Sequence, residues 1–211
     1  TDYFTAWVHQ IKTPLSVMRL QLQSEDTPEN RAMLAELFQM EQYVTMALSY
    51  ARLGNPTKDL VLTRVPLDPV IRQAIRDFAP LLIRKKLRLQ YEPTAESALT
   101  DSKWLLFILH QLLSNAVKYT DRGHVSIRVT STPAIIVADT GIGIAPEDVP
   151  RVFEKGYTGY NGRGGQKSTG LGLYLVHQTA EMLHCRVSLS SRIGEGTSVT
   201  IDLHQEELGK E

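Results

Sequence analysis

The stretch AIIVADTGIGI, Ala134 to Ile144, runs five apolar residues directly into an aspartate and two spaced glycines. An apolar run of that length, rich in β-branched side chains, predicts a buried strand. Asp139 then stands at the strand's end, where a carboxylate can accept a hydrogen bond from an exocyclic amine. Gly141 and Gly143 let backbone approach a flat ligand at little steric cost. A plain tight turn is the ordinary alternative, because Asp and Gly are common turn residues. Asp-Thr-Gly also occurs at aspartic-protease sites, but that chemistry needs a second aspartate from a duplicated lobe or a dimer. The chain has no duplicated lobe, and the Gly-Ile-Gly-Ile continuation fits such a site poorly.

Working outward, residues 67–84 read as a helix, 87–92 and 96–101 as short strands, and 102–119 as a strongly apolar helix. HVSIRV alternates Val125, Ile127 and Val129 with polar neighbours, and RVSLSS with TSVTIDL reads as a closing hairpin. Helices and antiparallel-type strands mix without regular βαβ alternation. The fold class is α+β, a layered sandwich and not a doubly wound sheet.

Nearer the N-terminus the period changes. Phe4, Val8, Ile11, Leu15, Met18 and Leu22 form the apolar seam of a helix over residues 1–24. Thr27 and Pro28 read as the cap and first position of a second helix, with Met33, Leu37, Met40, Val44, Ala47 and Ala51 in the same rhythm and Gly54 as its stop. Two helices enclose little apolar surface alone, so the hairpin predicts a homodimer making a four-helix bundle. The expected domains are a hairpin at 1–55, a linker at 56–65, a second domain at 66–206 and a tail at 207–211.

Composition bounds what such a molecule binds. The 23 Lys and Arg balance the 23 Asp and Glu, so no overall field draws the chain to nucleic acid or to an anionic membrane surface. Any anionic ligand is held locally. Cys185 is the only cysteine, which excludes an intramolecular disulfide and suits a reducing compartment. We find no apolar run long enough to span a bilayer and no signal peptide. TDYFTAWVH is already in helical register, so the chain is expected to be cut from something longer.

Further candidates surround the Asp139 motif. In QLLSNAVKYT, Asn115, Lys118 and Tyr119 share one helix face, offering an amide oxygen to a hard cation, an ammonium to phosphate and a ring to a base. In KSTGLGLYLV, Ser168 or Thr169 is placed to cap a helix starting near Gly170, whose N-terminus suits phosphate, with Arg163 and Lys167 adding charge nearby. A Walker A loop is excluded because Gln166 occupies the position where that motif needs glycine. In WVHQIKTP, His9 lies beside the seam, Pro14 is expected to bend the helix within a turn of it, and Thr13 follows one turn on along the same face. Each of these, taken singly, is equally an ordinary helix or loop residue.

Together they resemble the two-component sensor histidine kinases, across essentially the whole chain. HQIKTP resembles that family's H box, QLLSNAVKY its N box, DTGIGI its first glycine box, VFEKGYTG its F box and TGLGLYLV its second glycine box, in the family's order and spacing. The wording around His9 and in GYNGR…KSTGLGLYL is most similar to the short intramembrane-sensing kinases of Gram-positive bacteria that work with peptide-antibiotic transporters. The resemblance implies a dimerising histidine phosphotransfer hairpin joined to a Bergerat-type (GHKL) α/β sandwich that binds ATP and Mg²⁺. Asp139 would take the adenine amino group beside Gly141, Gly143 and Ile144. Tyr119 would pack on the base, Asn115 would coordinate Mg²⁺, and Lys118 would meet the phosphates. Residues 154–169 would form a lid carrying Arg163, Lys167, Ser168 and Thr169, and Gly170, Leu171, Gly172 and Leu173 would cradle the phosphates. His9 would be phosphorylated and pass the group to an aspartate of a response regulator. Thr13 would help dephosphorylate that regulator. The whole would be the cytoplasmic portion of a bacterial membrane sensor.

Three departures stand out. Gln10 replaces the usual acid after the histidine, Gln111 stands where many members carry asparagine, and Thr158 falls where many F boxes place arginine. Gln10 can orient the ring through its amide oxygen but brings no charge. An ATP-gated regulator-binding or phosphatase module with weak autokinase activity is therefore the alternative expectation.

Overall fold

The computed structural model describes residues 2–53, 60–159 and 169–204, with side chains at 10–49, at 51 and from 60 onward within those ranges. The chain divides into two units, Thr1–Asp59 and Leu60–Glu211.

The first unit pairs α1 (Asp2–Gln23) with α2 (Pro28–Leu53). Thr27 caps α2 as expected, its Oγ1 accepting from the Asn30 amide at 3.1 Å, and an Arg19–Glu41 ion pair ties the helices. Gly54, the expected stop, lies outside the described residues. Leu15, Ala35, Leu37, Met46 and Leu48 are buried. Much of the expected seam is not: Met18, Met33 and Met40 are 51%, 53% and 55% exposed. A helix pair offers each member one line of contact, so a second apolar flank finds no cover within one chain.

In the second unit the order is β1 (Thr63–Pro66), α3 (Leu67–Arg84), β2 (Arg88–Tyr91), β3 (Ser97–Thr100), α4 (Ser102–Tyr119), β4 (His124–Val129), β5 (Ala134–Asp139), a 3₁₀ turn (Val149–Arg151), α5 (Gly172–Met182), β6 (Arg186–Arg192) and β7 (Gly196–Asp202). Five strands form one sheet in the order β2-β4-β5-β7-β6, parallel only at β2–β4, and β1 pairs with β3 separately. This is the expected α+β arrangement. The core is made by Ile71 and Phe78 of α3, Leu105, Ile108, Leu109 and Leu113 of α4, Leu175 of α5, and Val125, Ile127, Ile135 and Ile201 of the sheet, all fully buried. His110 of α4 reaches Asp77 of α3 at 2.9 Å and joins the two helices.

One strand was hidden in the expected linker at 56–65. Thr63–Pro66 is β1, and Val65 pairs opposite Ala98. Only Val65 of its four residues is buried, so no alternation is long enough to read. Helix ends also hold two residues in the left-handed region, Lys86 (φ 55°) and His184 (φ 56°). In each case the next amide, Leu87 or Cys185, donates back into the last turn at 2.9 Å, closing a Schellman end without glycine.

Asp101 begins α4. Its Oδ1 accepts from Lys103 at 2.9 Å and Trp104 at 3.4 Å, while Oδ2 accepts the Val61 amide at 3.0 Å. A 2% exposed carboxylate thus satisfies three N–H groups. Asp101→Ala is expected to lower the stability of this unit by about 1–3 kcal/mol, read as a fall in urea midpoint with unchanged slope.

Candidate functional site

The alternation of β5 continues past its apolar residues. Ile135 and Val137 point to the core, so Asp139, two positions on, points the same way. Its register neighbours are Val125 on β4 and Thr197 on β7, and Thr197 faces Ser191 on β6. Burial raises the Asp139 pKa above its ordinary value, opposed by backbone hydrogen bonds from Gly141 and Thr197. The Gly141 amide donates to Oδ1 at 2.8 Å. The Thr120 hydroxyl pulls the same way without meeting full hydrogen-bond geometry.

The turn after Asp139 is clamped by the β6–β7 hairpin. Gly143 has φ +71°, and a Cβ there would lie 1.9 Å from the Arg192 carbonyl oxygen, so backbone passes where a side chain cannot fit. The Ile144 amide donates to Ser191 Oγ at 2.9 Å, and Gly194 donates to the Ile142 carbonyl at 2.8 Å. Ser191 in turn meets Thr197 Oγ1 at 2.9 Å and the Gly196 carbonyl at 2.8 Å. Sequence reading placed Ser191 and Thr197 in a plain hairpin. Cross-strand register is what brings them beside Asp139, and register is not written in either strand alone.

From α4, Asn115, Lys118 and Tyr119 are all half-buried at the helix's C-terminal end. The Lys118 ammonium lies 5.3 Å from the Tyr119 ring centroid, and burial pushes its pKa down. The Tyr119 carbonyl accepts the Ile142 amide at 3.1 Å, which joins this helix to the turn after Asp139. Gln111, one turn earlier, is buried with Oε1 beside Gly172 at the start of α5.

The start of α5 corrects one expectation. The helix begins at Gly172, not near Gly170, and no side chain caps it. Thr169 Oγ1 instead accepts the Leu171 amide at 3.3 Å, two residues ahead of the cap position. An uncapped first turn leaves its amides for a ligand. Gly170 (φ +65°) sits against Gly156, whose amide donates to its carbonyl at 3.0 Å; a Cβ on Gly170 would fall 2.4 Å from the Gly156 carbonyl carbon. Beside it, Phe153 lies 5.5 Å from the His177 ring of α5, and Tyr157 bonds Asp148 while Arg151 covers its ring at 4.3 Å. Thr158 is half-buried in this segment. Arg163, Lys167 and Ser168 lie outside the described residues. In the first unit His9 falls on α1, with Gln10 and Thr13 exposed.

The arrangement offers an inward carboxylate to a donor, a glycine turn to a flat group, and an ammonium and free helix amides to an anion. Residues 100–207 match the family model described as histidine kinase-, DNA gyrase B-, and HSP90-like ATPase. The chain belongs to this ATPase family. Among its curated relatives is the sensor protein BceS of Halalkalibacterium halodurans, 36% identical over 209 residues, covering 97% of this chain and 63% of that protein. The sensor protein kinase GraS of Staphylococcus aureus is 32% identical over 202 residues, covering 93% and 58%. The ATPase chain therefore spans less than two thirds of these relatives. Among solved structures, full-length ShkA in complex with AMPPNP aligns at a TM-score of 0.65 and 25% identity, over 95% of this chain and 45% of that one. The Acinetobacter baumannii histidine kinase AdeS shares the fold at a TM-score of 0.58 and 20% identity, over 93% and 98%. Among the described residues, no helix is long and apolar enough to cross a membrane, and no cluster of His, Cys, Asp and Glu could hold a metal.

Asp139 has a folded-state pKa above its unfolded one. It therefore detracts from stability once the pH exceeds the unfolded value and costs nothing below it. Asp139→Asn removes that cost while replacing a charged acceptor with a neutral one. ATP affinity is expected to fall about 10- to 100-fold as the ligand-free melting temperature holds or rises, measured by calorimetry and thermal unfolding.

Proposed function

We propose that this chain is the catalytic core of a sensor histidine kinase. The observation that carries the reading is Asp139, held inward at the end of β5 with its glycine turn bonded to the helix bearing Asn115, Lys118 and Tyr119. ATP enters with its adenine amino group on Asp139, its base over the turn of Gly141, Gly143 and Ile144 and beside Tyr119, and its phosphates toward Lys118 and the α5 start at Gly170, Leu171, Gly172 and Leu173. Asn115 is the residue for Mg²⁺, an amide oxygen suited to a hard cation that keeps most of its ligands from water and phosphate. Arg163, Lys167, Ser168 and Thr169 add contacts from the lid. ShkA, whose solved complex holds AMPPNP, supports the nucleotide class. BceS and GraS, both sensor proteins, support the kinase.

His9 is the phosphoryl acceptor. Its Nε2 lone pair attacks the γ-phosphorus, the bond to the bridging oxygen breaks, and ADP leaves with that electron pair. Gln10 accepts from Nδ1–H and fixes the tautomer. The phosphoryl group then passes to a response-regulator aspartate, and Thr13 orients water for its later removal. Exposed Met18, Met33 and Met40, with Val17, Leu20 and Tyr43, support a homodimer closing around the hairpin. The core then lies on the cytoplasmic side of a membrane sensor.

Incubation with ATP labelled at the γ-phosphate tests this. Acid-labile, base-stable label is expected on the chain and none on His9→Ala; equal labelling of both would sink the assignment. Gln10→Glu is expected to speed labelling about three- to tenfold at saturating ATP, because a charge-assisted hydrogen bond is roughly twice as strong as a neutral one.

A further inference from the structure

The C-terminal end of α4 leaves carbonyls that the helix itself cannot satisfy. Ala116 accepts from the Thr120 amide and Tyr119 from the Ile142 amide, both at 3.1 Å. Lys85, the residue that ends α3, takes the rest. Its Nζ donates to the carbonyls of Val117 at 2.8 Å, Thr120 at 3.0 Å and Lys118 at 3.2 Å. An ammonium has three donors, and three carbonyls converge on it. Its contact with Asp121 at 3.3 Å is the weaker partner, since that carboxylate is 85% exposed. A cation at a helix C-terminus also favours the dipole.

We infer that Lys85 is a positioning residue for nucleotide binding, an inference that rests on the kinase reading above. Its ammonium fixes the peptide groups that carry Lys118 and Tyr119 and leaves the Tyr119 carbonyl aimed at Ile142, so the N-box helix and the first glycine box keep one geometry. Without it, three carbonyls lose their donor and turn toward water, carrying the phosphate and base contacts with them. Small misplacements of binding groups weaken catalysis steeply. In the sequence Lys85 sits in the run Arg84, Lys85, Lys86.

The test uses the 211-residue chain, with ATP affinity by calorimetry and the ATP dependence of His9 labelling, well below every variant's unfolding midpoint. In Lys85→Met the dissociation constant and KM for ATP are expected to rise about tenfold while kcat stays within about twofold. Lys85→Arg, which keeps charge and donors, is expected to recover most of the affinity, and Asp121→Ala to match the parent. A purely structural loss lowers the active fraction, and with it kcat, without moving KM. Should Lys85→Met fail to fold, Lys85→Gln, with a shorter neutral donor, takes its place under the same expectations. Parental KM and affinity in the folded neutral variant would overturn the inference and leave the kinase reading standing. Absence of ATP binding by the unsubstituted chain would overturn both.

Discussion

A carboxylate turned toward the core at the end of β5 is the constraint around which the second unit is arranged. Period-two alternation sets its direction, because Asp139 follows Ile135 and Val137 on one face of the strand. Burial alone would make that position unfavourable for a charge. The amides of Gly141 and Thr197 compensate in part, and both depend on neighbours: Gly141 on a turn clamped by the β6–β7 hairpin, Thr197 on its register with β5. The carboxylate is thus left only partly compensated by the protein itself.

The second organising element is α4, which serves core and site at once. Leu105, Ile108, Leu109 and Leu113 seal the helix layer, while Asn115, Lys118 and Tyr119 remain half-buried toward one end. Its two ends are held by side chains of opposite sign, matched to the helix dipole: the Asp101 carboxylate at the start and the Lys85 ammonium at the finish. The helix is therefore restrained along its axis as well as across it. That keeps the end of α4 in register with the turn after Asp139, one carbonyl away.

Much of this was legible in the residues, and the reason differs by element. The helices at 67–84 and 102–119 were read to the residue because a proline-flanked start and an aspartate cap coincide with a clear change of pattern. β4 and β5 were legible from alternation and from an unbroken apolar run. β1 was not, since a four-residue strand with one buried side chain carries no period. The start of α5 was set two residues early because Ser168 and Thr169 are good cap types, whereas the chain makes a turn at Gly170 first. In the hairpin the seam was visible, but periodicity alone does not say which flank the second helix covers and which awaits another surface. The Asp139 motif, the N-box face and the second glycine box could be picked out locally. Ser191, Thr197 and Lys85 could not, because each acts across a distance that only pairing and packing define.

The backbone bond between Gly156 and Gly170 has a consequence for chain length. It pins the entrance and exit of the intervening stretch to one another, so the frame on either side does not feel how many residues lie between. Closing a longer loop costs only about 0.6 kcal/mol for each doubling. A change in the length of that stretch is thus tolerable to the frame, where Phe153 packs against His177, as long as the Gly156–Gly170 bond is kept.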